Sequence, residues 1–130
     1  MSCSIESFHV RALVGVDTVV RARVTDADNI PVTPETLSKA YLQIFGPDES
    51  VVHNAELNLS DTFANALQQG PEWTADGVGY NLSVTLPGSA LLDETFRYPA
   101  VVWCVPTGGS DFPIRMLVEL TPVPKADYPA

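Results

Sequence analysis

Residues 80–86 alternate strictly, with Tyr80, Leu82, Val84 and Leu86 apolar and Asn81, Ser83 and Thr85 polar. A strand sends successive side chains to opposite faces, so this pattern predicts one face in a core and one in water. The same period runs from Thr18 to Val24, where Val20, Ala22 and Val24 oppose Arg21 and Arg23. Ala55, Leu57 and Leu59 alternate with Glu56, Asn58 and Ser60, and Ile114, Met116, Val118 and Leu120 oppose Arg115, Glu119 and Thr121. A first strand is expected from about Ile5 to Val14, with Phe8, Val10, Ala12 and Val14 inward and His9 facing water. Two segments are apolar on both faces. Ala100 to Val105 predicts a central strand covered on both sides, while in the other segment Ala40, Leu42 and Ile44 oppose Tyr41, Gln43 and Phe45. An aromatic outer face on a small domain points to something that sits on it.

Turn chemistry falls between these segments. Gly15-Val16-Asp17, Asp26 to Pro31, Gly46-Pro47-Asp48-Glu49, Asp76-Gly77 and Pro106 to Ser110 all read as turns. Thr33-Pro34-Glu35 reads as a cap, a first-turn proline and an acidic residue opening one short helical turn. Short strands broken by a turn every ten residues or so predict an all-β fold, an immunoglobulin-like β-sandwich of seven to eight mostly antiparallel strands; a small barrel is the alternative. The sandwich is expected to occupy residues 1–121. Pro122, Pro124 and Pro129 deny residues 122–130 a regular inner strand. That stretch is expected to lie extended against a neighbouring subunit, with Tyr128 as its anchor.

Composition narrows the function classes. Hydrophobic residues make up 45% of the 130-residue chain, enough for one packed domain. Seven Lys and Arg against sixteen Asp and Glu give a net charge of −9. Duplex binding needs clustered cations to replace phosphate counterions, so nucleic acid is not an expected partner. No apolar run approaches the roughly 20 residues that span a bilayer, so no membrane contact is expected, and Met1 to Phe8 shows no signal-like pattern.

Candidate chemistry is sparse. Neither Ser89 nor Ser110 has the flanking glycines of a nucleophile elbow, and neither Lys39 nor Lys125 follows a phosphate-binding loop. Asp26, Asp28 and Asn29 offer hard oxygens, but Ile30, Pro31 and Leu37 stand where a helix-loop-helix calcium loop needs a ligand, a glycine and a carboxylate. A loop site completed by Asp48 or Glu49 stays open, beside the simpler reading of an Asx turn. Cys3 and Cys104 belong to no CxxC or Cys/His cluster, and read as buried thiols or as a disulfide in an oxidising compartment. Asn58-Leu59-Ser60 and Asn81-Leu82-Ser83 match the glycosylation triplet. No enzyme activity, cofactor or metal is expected.

One order of motifs carries a resemblance. Gly15-Val16-Asp17-Thr18 leads into a strand, then a turn from Val24 through Asp26, Asp28, Asn29 and Pro31 to Val32. A strand to Phe45-Gly46-Pro47-Asp48-Glu49-Ser50 follows, then Gly79-Tyr80, the alternating strand to Leu86-Pro87, Arg97-Tyr98, and a closing strand to Leu120. Across about residues 14–121 this resembles the immunoglobulin-like domains of tailed-phage virion proteins, typified by the N-terminal domain of baseplate upper proteins. Val16, Asn29 and Glu49 depart from that pattern, where family members often carry glycine or another small residue. The resemblance implies a non-enzymatic virion structural protein that assembles in the host cytoplasm. It would act as a capsid decoration or cement protein, or as a neck or baseplate component. The implied partners are the major capsid, neck or tail proteins, with multiple copies or a homo-oligomer. An extracellular immunoglobulin-like adhesion or carbohydrate-binding module is the alternative. The expected interface residues are Tyr41, Phe45, Trp73 and Phe112, with Arg21 and Arg23 reaching carboxylates on a neighbour and Tyr128 anchoring the tail. The four aromatics otherwise complete the core.

Overall fold

The computed structural model describes residues 8–25, 30–70, 79–93 and 95–121. The strands are β1 (Phe8–Leu13), β2 (Thr18–Ala22), β3 (Leu37–Phe45), β4 (Val51–Glu56), β5 (Phe63–Gln68), β6 (Tyr80–Leu86), β7 (Tyr98–Pro106) and β8 (Phe112–Thr121). A one-turn helix, α1 (Leu59–Thr62), links β4 to β5. The strands form a five-stranded sheet, β1-β8-β7-β3-β4, and a three-stranded sheet, β2-β6-β5. Every pairing is antiparallel except β1 on β8. One core cluster draws on both sheets, joining Val20, Leu82 and Val84 to Leu42, Ile44, Ala100 and Val102. The fold is an immunoglobulin-like β-sandwich, with β4 added at the edge beyond β3 as in the variable type.

The period-two segments land as their patterns require. Leu82, Val84 and Leu86 of β6 and Ile114, Met116, Val118 and Leu120 of β8 are buried, as are Val10, Ala12, Ala40, Leu42 and Ile44. His9 faces solvent and His53 is half-buried. Residues 5–7, Cys3, the Asp26–Asn29 calcium candidate, the Asp76-Gly77 turn and the 122–130 tail lie outside the described residues. Cys104 sits fully buried in the core.

Two strand expectations need correction. The alternation through Leu57 and Leu59 does not continue β4. Asn58 intervenes, its Oδ1 accepting from the Asp61 amide (3.2 Å) and the Ser60 hydroxyl (2.7 Å), which starts α1 at Leu59. Asparagine at this position satisfies an amide that the first turn leaves without a partner, so the apparent strand becomes a cap. The second correction concerns β7. It is central in its sheet, but only Tyr98, Ala100, Val102 and Cys104 are buried; Val101 and Val105 are half-covered, and Trp103 remains 37% exposed. The three-stranded sheet covers one side, and nothing in the described chain covers the other.

Three local features hold the sandwich together. Asn81, polar and expected in water, is only 1% exposed. Its Oδ1 accepts from the Val24 amide (2.6 Å), and its Nδ2 donates to the Val24 (2.8 Å) and Val32 (2.7 Å) carbonyls. The Val32 amide also donates to the Val24 carbonyl (3.0 Å), so one side chain binds both arms of the loop after β2 to the start of β6. At the opposite end Gly88 leaves no room for a side chain: a Cβ there would lie 2.5 Å from the Gly15 and Val16 backbone. Its amide donates to Asp17 Oδ1 (2.8 Å). Ahead of β7, the Tyr98 hydroxyl accepts from the Asp93 amide (3.0 Å), as in the tyrosine corner of this fold. Asp93 accepts from the Thr95 hydroxyl (2.6 Å) and amide (2.9 Å), which hold its carboxyl below the usual carboxylate range.

The expected 3₁₀ turn forms at Pro34–Thr36, and the β3–β4 turn forms at Pro47–Glu49. In that second turn Asp48 (φ 62°) and Glu49 (φ 60°) are both left-handed. Left-handed backbone disfavours an L residue by roughly 1–2 kcal/mol, and glycine gives back part of that through its freer unfolded chain. Glu49→Gly is therefore expected to stabilise the domain by about 0.5–1 kcal/mol in a thermal melt, which a glutamate comfortable in its turn would not allow. Asn81→Ala, by contrast, strands buried backbone groups at Val24 and Val32. Denaturant unfolding is expected to show a loss of about 2–4 kcal/mol.

Candidate interaction surface

The outward residues of the five-stranded sheet form one continuous face. Tyr41 of β3, Trp103 of β7 and Pro113 of β8 are direct cross-strand neighbours, and the next row is Gln43, Val101 and Arg115. Pro99 pairs with Leu117. Tyr41, Phe45, Val101, Val105, Pro113 and Leu117 are all half-buried, because each shields the flanks of the next, and Trp103 stands in the middle. Gln43 Nε2 donates to Asn54 Oδ1 at 3.5 Å, a polar seam toward β4.

Charges rim this face. On the β8 side Arg97 pairs with Glu119 (3.6 Å), both well exposed, and Arg11 stands in register with Glu119. Exposed pairs of this kind are worth about 0.2–1 kcal/mol, so they orient more than they bind. Toward β4 lie Glu56, opposite Tyr41, and the Asp48-Glu49 turn. Two shallow depressions interrupt the surface. One of about 320 Å³ is lined by Tyr41, Gln43, Asn54, Trp103, Val105 and Asp111. The other, about 480 Å³, lies between Phe45, the Asp48-Glu49 turn, Phe96 and Pro99.

The interface residues expected from sequence do not all meet here. Tyr41 and Phe45 do. Phe112 does not: it is 8% exposed and packs inward in the core, since its place at the start of β8 shares parity with Ile114 and Met116. Trp73 and Tyr128 lie outside the described residues. Arg21 and Arg23 belong to the other side of the sandwich, each beside a group of this chain, with Arg21 Nε buried and without a hydrogen-bond partner among the described residues. The Arg21 guanidinium carbon is 5.7 Å from the Tyr80 ring centroid, and Arg23 Nη1 donates to the Gly79 carbonyl (3.2 Å). Val101 and Trp103 were not expected from sequence, because the 100–105 run is apolar on both faces and reads as doubly covered; Pro113 and Leu117 of β8 were not singled out either. The counter-signal was Trp103 itself, a residue large enough to be partly exposed even where it is well packed.

Little else in the chain offers chemistry. Among the described residues no three His, Cys, Asp or Glu side chains are placed to share a metal ion. Asn81 of the second glycosylation triplet is buried with its amide fully engaged, while Asn58 of the first is exposed and uses its Oδ1 as a helix cap.

No family model and no curated protein matches this chain. Among solved structures it is similar to the first immunoglobulin-like domain of human CD48 antigen, at 10% identity and a TM-score of 0.41, over 100% of this chain and 95% of that one. It is also similar to the Ig1 domain of mouse SynCAM 2, at 10% identity and TM-score 0.36, over 92% and 96% of the two chains. A third similar structure is that of the extracellular domains of the voltage-gated sodium channel beta4 subunit, described as parallel homodimers that explain its role in cell-cell adhesion. The identity is 11% and the TM-score 0.41, over 95% of this chain and 98% of that one.

The two faces of β7 and β8 separate core from surface in a direct test. Trp103→Asp is expected to leave a cooperatively folded domain, at a cost of about 1–3 kcal/mol from the covered part of the ring and the poor strand propensity of aspartate. Phe112→Asp buries a carboxylate and leaves a cavity, so it is expected to cost more than about 4 kcal/mol and to show as an unfolded far-UV spectrum.

Proposed function

We propose that this chain is a non-enzymatic structural protein of a tailed-phage virion, a decoration protein that docks on the capsid through the outer face of its five-stranded sheet. The observation that carries the reading is the uncovered row of Tyr41, Trp103 and Pro113 with Val101, Phe45 and Leu117 around it. A domain of this size gains nothing in stability from showing aromatics to water. Apolar patches rimmed by polar residues are where proteins meet, and Tyr and Trp dominate the energy of such contacts.

The virion setting rests on the order of motifs along the sequence. Asp17 of the Gly15-Thr18 motif accepts from the Gly88 amide, just beyond Leu86-Pro87, which ties those two segments together within the sandwich. The net charge of −9 would keep the subunit soluble before assembly. The partner is another virion protein, the major capsid protein on this reading, with neck and tail proteins as the other positions on the particle. The small single domain acts in multiple copies.

The test is mass spectrometry and occupancy on purified particles of the phage that encodes the chain. The wild-type protein is expected on the particle. Tyr41→Asp with Phe45→Asp is expected to fold with an unchanged spectrum yet to occupy particles at least about tenfold less, since two truncated aromatic contacts readily exceed 1.4 kcal/mol. Absence of the wild-type protein from particles, or full occupancy by the folded variant, overturns the reading.

A further inference from the structure

The larger depression on the outer face has a composition of its own. Phe45 ends β3, Pro99 lies near the start of β7, and Phe96 is held just ahead of it by an edge-to-face contact with Tyr98 (4.9 Å between centroids, 90° between planes). These residues give the hollow apolar walls. The remaining lining comes from Gly46, Asp48 and Glu49, with the two acidic residues side by side in their left-handed turn. No ion pair joins Asp48 or Glu49 to a cation among the described residues.

The chemistry of an occupant follows from what each wall would do to it. A purely apolar side chain would strip water from two carboxylates without pairing them, which is unfavourable. An anion would meet both carboxylates and the field of a domain carrying −9. A neutral polar group gains little from the rings. A cation on an apolar stem satisfies every wall, because its stem covers aliphatic and ring surface while its head reaches the carboxylates. Guanidinium suits the site better than ammonium: it is planar, weakly hydrated, stacks on aromatic faces and can engage carboxylates through paired N–H groups. The chain already brings a guanidinium near an aromatic ring where Arg21 meets Tyr80.

We propose that the depression between Phe45, Phe96 and the Asp48-Glu49 turn receives an arginine side chain presented by the protein on which the domain docks. The inference deepens the docking reading and rests on it for its setting, since Phe45 belongs to both the depression and the apolar face. The arginine sets where the partner sits along the sheet, while the Tyr41–Trp103 row supplies most of the contact.

The test needs no partner. Acetyl-arginine N-methylamide is titrated into the isotopically labelled domain, and amide shifts are followed by two-dimensional NMR. Saturable shifts are expected at Gly46, Asp48, Glu49 and Phe96. The citrulline analogue, equal in shape but uncharged, is expected to bind at least tenfold more weakly. Asp48→Asn with Glu49→Gln is expected to abolish the arginine shifts, while the rest of its spectrum reports an intact fold. Equal response to citrulline overturns the proposal, as do shifts scattered over other carboxylates and unchanged in the double variant. Probe binding by a protein absent from particles would reject the virion reading and leave the depression standing; decorated particles with no probe binding would reject the depression alone.

Discussion

The architecture follows from one mismatch: three strands cannot serve two faces of a five-stranded sheet. β1, β8, β7 and β3 of the larger sheet each bury an inward row under the smaller sheet, α1 and the loops, whereas β4 at the edge buries none. Among the described residues nothing covers the outward rows of β3, β7 and β8, yet they carry Tyr41, Phe45, Val101, Trp103 and Leu117 where a solvated antiparallel sheet usually shows polar residues. Nothing in the described part of the domain accounts for the apolar character of those rows.

Keeping such a face flat requires the strands behind it to hold register, and the smaller sheet does this with polar clamps. Asn81 is the strongest of them. A buried amide with all three bonds made is stable in place, and it specifies one position for the loop after β2, because a shift of one residue would leave the same amide unsatisfied in a dry environment. Gly88 acts by the opposite means, as a space into which the β1–β2 turn settles. The Gly88–Asp17 bond joins segments distant in sequence, while Tyr98 bonded to the Asp93 amide fixes the local turn into β7. The outer face stays free of structural duty.

How much of this could be read from the chain depends on which physical rule governed each segment. Where alternation was strict, as in β6 and β8, the core residues were legible because a two-residue period admits one buried set. Asn81 broke the rule within the clearest strand: alternation predicts which way a side chain points but not whether a loop will cover it. The strand proposed through Leu59 failed because Asn58 is equally at home in a strand's polar row and at a helix cap, and the cap won. The β5 segment, FANALQ, has no steady period and was not seen. On the surface, Tyr41 and Phe45 were legible as an outward aromatic pair. Phe112 was read as outward although it is in phase with Ile114 and Met116, whose buried row it extends to the start of β8. The partner of the face, Trp103, was hidden by an apolar run that reads the same whether its second side meets the chain or another molecule.

Charge and apolar area then divide the work of binding. Acidic residues outnumber basic ones by sixteen to seven over the chain, yet arginines collect beside β8 while Asp48, Glu49 and Glu56 lie toward β4. Charges at the rim of a contact mainly govern the rate of encounter and the choice of orientation, because water screens them until the contact closes. Apolar residues at the centre govern how long the complex lasts. On the proposed docking mode, the charges on the flanks would orient an approaching surface and the Trp103 and Tyr41 rings at the centre would hold it. The strained turn at Asp48-Glu49 fits that division, since carboxylates kept in an unfavourable backbone conformation contribute little to the fold and are free to meet a partner.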